Sequence, residues 1–178
     1  MIVLPVERLA KRTRYGDAGV ANDLELDSEL GERVAEVLKT GRPFRDAPFF
    51  VPEHWSYVPA EKPFNVAGSW RGKLLEELAS PAALARAGDT DAWTVITDLR
   101  NALAHGGVTY LSQDGWHTNG EVAVFAFAGA KMKGHEVIGL NILRIHQDHF
   151  RTFLSAWADW LAGAGVVAAL DQEIRLVA

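Results

Sequence analysis

Apolar residues recur at helical spacing in four stretches of the chain and at strand-like spacing in three others. Asp27-Ser28 can cap a first helix running to about Lys39, with Leu30, Val34, Val37 and Leu38 as its apolar stripe. Gly41-Arg42-Pro43 ends it. A second helix is predicted over 68–78, with Trp70, Leu74, Leu75 and Leu78 on one side, and Ser80-Pro81 opens a further short turn. Asp89 or Thr90 can cap the third helix, with Asp91 favourable in its first turn. Its stripe is Trp93, Ile96, Leu99 and Leu103, and Gly106 is a natural residue to follow its end. The period then shortens. Val108–Leu111, Val122–Phe127 and Val137–Ile145 read as strands, simplest as an antiparallel meander around the turns at Gln113-Asp114-Gly115 and 129–134. The last helix runs from Gln147 to Leu161, with Phe150, Phe153, Leu154, Trp157, Trp160 and Leu161 at helical spacing.

Residues 42–63 fit neither period. Pro43, Pro48, Pro52, Pro59 and Pro63 forbid a long helix there. Phe44, Phe49, Phe50, Trp55 and Tyr57 argue against a disordered linker. The expectation is an ordered irregular excursion packed on the body; a proline-rich docking ligand would need a PxxP run with a basic flank, which is missing. With 178 residues and no linker, the chain reads as one domain. Its parts would be a helical and Pro/aromatic-rich segment (1–65), a core (66–165) and a tail (166–178).

Composition narrows the class. The net charge of −5 counts against non-specific grip on a long nucleic-acid backbone, though a local cationic site remains open. The basic cluster Arg8, Lys11, Arg12 and Arg14 and the acidic run Asp23, Glu25, Asp27 and Glu29 read as solvated faces. There is no cysteine, which excludes disulfides, thiolate zinc sites and Cys nucleophiles. Neither a signal h-region nor a bilayer-spanning run is evident, so the expectation is a cytoplasmic protein with no membrane partner.

The densest chemistry lies at residues 99–106, Leu-Arg-Asn-Ala-Leu-Ala-His-Gly. Arg100 supplies a permanent cation with a planar donor fork suited to phosphate. His105 can move protons near neutral pH. On a helix, Asn101 and His105 share a face, whereas Arg100 and His105 diverge by about 140°. Arg100 must then reach the site by its long stem, or the helix must unwind at Gly106. Arg71 and Lys73 become phosphate contacts if the preceding helix borders this one. His146, His149 and Asp148 lack a second cluster of ligands, so no metal and no cofactor are expected. Histidines 54, 117 and 135 fall in turns and are expected to be solvated. Trp157 and Trp160 suit a core or a dimer interface better than a base-stacking platform, while Trp116 is expected to be more exposed.

Arg100-Asn-Ala-Leu-Ala-His105 resembles the R-x(4–6)-H signature of HEPN domains, in which a polar residue commonly follows the arginine. The resemblance covers roughly residues 68–163. It implies a mainly α fold: a HEPN-like helical bundle, here with a small antiparallel β meander inserted before the last long helix. It also implies a metal-independent endoribonuclease working as a homodimer, in stress response or defence. Carried over, Arg100 binds the scissile phosphate and His105 acts as general base or acid. Asn101 orients His105 or binds phosphate, and the product is a 2′,3′-cyclic phosphate. One histidine is poorly placed for both proton transfers, which is the physical case for two copies. A regulatory protein partner is compatible with this class. In HepT-type toxins a tyrosine two positions after the histidine accepts AMP; here that position is Gly107, and the nearest tyrosine is Tyr110. Two other readings remain: a non-catalytic nucleotide- or RNA-binding regulatory module, and a structural interaction protein.

Overall fold

Strand alternation builds the centre of the molecule. The structure is a computed structural model that describes residues 36–38, 41–66, 70, 72–133 and 135–163. β1 (Trp55–Ala60), β2 (Val108–Leu111), β3 (Val124–Lys133) and β4 (Glu136–His146) form one four-stranded sheet in the order β1-β4-β3-β2. Every pairing is antiparallel. Among the described residues it is accompanied by the helices α1 (Gly72–Leu78), α2 (Pro81–Asp89), α3 (Ala92–His105) and α4 (Gln147–Gly163).

The two faces of the sheet carry separate cores. Trp55, Tyr57, Phe127, Leu143 and Ile145 pack with Val95, Ile96, Leu99 and Ala102 of α3 and with Phe153 and Trp157 of α4. Val58, Val124, Ala126, Leu140 and Ile142 pack with Leu75 and Leu78 of α1. This division follows from the period of two in each strand. α2 lies beside β1 and serves both cores, with Ala83 in one and Ala87 in the other.

A mainly helical HEPN-like bundle is therefore overturned: the described residues form a mixed α/β fold around a central antiparallel sheet. The difference comes from Trp55–Ala60. This segment lies in the stretch expected to be irregular, yet it pairs along its whole length with β4, from Trp55↔Ile145 to Ala60↔Leu140. Pro59 is accommodated because β1 is an edge strand. The meander thereby becomes part of a sheet with helices on both faces.

Local signals account for the element ends. Ser80 caps α2, its hydroxyl accepting from the Ala83 N–H at 3.2 Å, with Pro81 at the first helical position. The cap of α3 is Asp91, whose carboxylate accepts from the Thr94 N–H at 3.0 Å and also from the Gly41 N–H. Neither Asp89 nor Thr90 fills that position. The buried arc of α3 is Ala92, Val95, Ile96, Asp98, Leu99 and Ala102. Leu103, expected on the apolar stripe, is 51% exposed. The proposed cap at Asp27-Ser28, the charge runs at 8–14 and 23–29, Arg71 and the tail 166–178 lie outside the described residues.

Candidate functional site

α3 is one continuous helix from Asp91 to Gly106. Gly106 adopts a left-handed conformation, φ 72°, and its N–H returns to the Ala102 carbonyl. The helix does not unwind before His105, so the five-residue offset of about 140° between Arg100 and His105 stands. His105 is exposed, and Arg100 and Asn101 are half-buried. Arg100 occupies the flank of α3 that carries Trp93, seven residues earlier. Asn101 and His105 occupy the other flank with Asp98, at spacings of three and four. A single copy thus presents its guanidinium and its imidazole on opposite shoulders of one helix.

Lys73 is not part of this group. It is exposed on α1, which packs on the sheet face opposite α3. The preceding helix therefore does not border the motif. Tyr110 is 51% exposed on edge strand β2, with its ring 6.0 Å from that of Phe125. With Leu103 it leaves two large exposed apolar side chains close in sequence to His105.

Asp98 was not legible as a site residue. It is 5% exposed, beneath α3 and above Gly129 of β3. A methyl group added at Gly129 would lie 2.6 Å from Asp98 Oδ1 and 3.0 Å from its Cα, so glycine is what lets the helix approach the strand. Burial pushes the Asp98 carboxyl up to about 7, partly offset by a side-chain hydrogen bond with Asn141. Its Oδ2 is buried without a partner among the described residues. Burial, and then the nearby Asp98 charge, push the Tyr57 hydroxyl upward, opposed by Arg86. The signal in the sequence was position: Val95, Asp98 and Ala102 lie at spacings of three and four, so an acid falls on the buried arc.

The histidines divide. His117 and His135 are exposed. His54, expected to be solvated, is instead half-buried, and its ring stacks on that of His149 with centroids 3.6 Å apart and planes 6° apart. The reason is the sheet: Trp55 pairs with Ile145, which carries His54 to the end of β4 where His146 and α4 begin. Among the described residues no group of three His, Cys, Asp or Glu is placed to hold a metal ion. Trp157 is in the core and Trp160 packs against it. Trp116 is 49% exposed, and its ring edge lies against Gly72 at the start of α1.

Chemically, the end of α3 offers an accessible imidazole for proton transfer, an adjoining amide and a guanidinium fork for an anion. No helix among the described residues is long and apolar enough to cross a membrane. Comparison of the chain with protein-family models, curated proteins and solved structures finds no match in any of the three.

Proposed function

We propose that the protein is a metal-independent endoribonuclease whose site is completed by a second copy of the chain. The observation that carries the reading is the placement of Arg100 and His105 on opposite shoulders of the exposed end of α3. Two such helices packed face to face about a twofold axis that runs along them, and so parallel, set each guanidinium on the same edge as the other copy's imidazole. Each reacting phosphate would then meet a fixed cation and a proton-transfer group, with a second histidine for the other transfer. Ala104 lies between the two shoulders on the outer face and leaves room for close approach. Exposed Leu103 and Tyr110 supply apolar area beside it.

The test is RNA cleavage in the presence of EDTA, with end-group analysis for a 2′,3′-cyclic phosphate. Cleavage retained in both Arg100→Ala and His105→Ala proteins removes the assignment. Binding without cleavage is the second reading. Saturable RNA binding with no turnover at any protein concentration would select it.

A further inference from the structure

Three histidines meet where β1 begins, β4 ends and α4 starts, and Arg144 lies two residues before His146 on β4, near enough for its charge to act on that ring. Arg144 and His146 are on β4, His54 immediately precedes β1, and His149 is in the first turn of α4. The His54 and His149 rings are stacked at 3.6 Å, and the His146 ring meets His149 at 5.6 Å and 67°. The Arg144 guanidinium lies against Gly115, whose added methyl would be 3.4 Å from an Arg144 terminal nitrogen. Arg144 Nε and the Nδ1 atoms of His54 and His149 are shielded from solvent and have no hydrogen-bond partner among the described residues.

The acids around this cluster, among the described residues, are exposed. Among the described residues Arg144 makes no ion pair. Two acids adjoin the histidines in the chain: Glu53, before His54, is exposed, and Asp148, before His149, is 86% exposed and pairs with Arg151 at 3.1 Å. Asp114, in the turn beside Gly115, is exposed. Burial depresses His54, and the His149 charge adds to it. Burial depresses His146, then Arg144 and His149, with Asp148 opposing. Burial also lowers Arg144. The positive end of the α4 dipole points the same way.

We propose that Arg144, His54, His146 and His149 form a binding site for a phosphate group in its dianionic form, free or as a monoester. A tetrahedral dianion offers oxygens in diverging directions, which suits a guanidinium fork and imidazoles whose planes differ by 67°. A planar carboxylate would satisfy the fork alone. Binding relieves repulsion among the basic groups. These residues lie on different elements from Arg100 and His105, and the inference does not rest on the ribonuclease reading.

The experiment follows the imidazole C2–H resonances of the full chain by NMR across pH 5–8, without and with inorganic phosphate at matched ionic strength. The expected result is an upward movement of the His54 and His146 titrations by about one unit. Phosphate affinity should be about tenfold weaker in Arg144→Gln and intermediate in Arg144→Lys, which keeps the charge and loses the fork. His149→Gln should also weaken binding and guards against an Arg144 variant that fails to fold. AMP and a 5′-phosphorylated tetranucleotide, run in parallel, separate a mononucleotide source from an RNA end. The proposal is overturned if none of the three ligands moves the titrations. It is equally overturned if chloride at the same ionic strength moves them as far, or if the Arg144 and His149 variants respond like the parent.

Discussion

Replacing Asp98 with asparagine should flatten part of the pH dependence of folding. The carboxyl titrates at about 7 in the folded chain because it is buried between α3 and Gly129, against roughly 3.9 when unfolded. The folded state therefore holds its proton more tightly, and the contribution to stability is largest below the unfolded value. It declines as pH rises from about 4 and is fully lost above about 7. A difference of about three units corresponds to about 4 kcal/mol between the two limits. Asp98→Asn keeps the shape and a side-chain bond to Asn141 but cannot ionise. His54 and His146, whose titrations are depressed on folding, act in the opposite sense, favouring the fold as pH rises toward 6.5. The measurement must therefore be the difference between variant and parent. Urea unfolding at pH 4, 5.5, 7 and 8.5 should show Asp98→Asn gaining on the parent by roughly 1.4 kcal/mol per pH unit between about pH 4 and 7, then levelling. Parallel stability curves would refute the buried, uncompensated carboxyl.

Three further outcomes follow from the same packing. Gly129→Ala should cost about 1–3 kcal/mol in urea unfolding, because its methyl meets both the Asp98 carboxylate and its backbone; an unchanged midpoint would contradict the close approach. Asp91→Ala should lower stability by about 1 kcal/mol, since the cap of α3 and its tie to Gly41 are lost together. Leu103→Asp should change the monomer's unfolding free energy by no more than about 0.5 kcal/mol, as the side chain is 51% exposed. The same change should dissociate a dimer that uses this face, read by light scattering; a dimer that survives would relocate the interface.

The sequence made the last helix and the presence of the meander strands legible through their apolar periods, but β3 begins at Val124 and runs on to Lys133, through most of the stretch 129–134 expected as a turn, because those residues continue to pair with β4. β1 was hidden by Pro59 and by the prolines around it, which are strong local signals. Its pairing with β4 joins residues far apart in the chain, and no local window contains that partner. The edge position that makes Pro59 tolerable is a property of the finished sheet. Leu103 fits the helical stripe by spacing, but the last turn of α3 leaves it exposed. Asp98 shows the reverse: it is polar by type and buried by position, because Gly129 lets the helix lie close to the strand. The divergence of Arg100 and His105 was readable from helical geometry alone, and the continuous helix to His105 keeps it. The histidine group could not be read, since His54 reaches His146 and His149 only through the β1–β4 register.

Metal-free RNA cleavage by the wild-type chain, compared with Arg100→Ala and His105→Ala at matched folding, tests the central claim most directly. The account predicts cleavage with EDTA present, ending in a 2′,3′-cyclic phosphate. It also predicts a rate per chain that rises as protein concentration drives pairing, and a loss of at least about a hundredfold in either variant. Wild-type-like cleavage in both folded variants, or a wild-type protein that binds RNA without cutting it, would contradict the account.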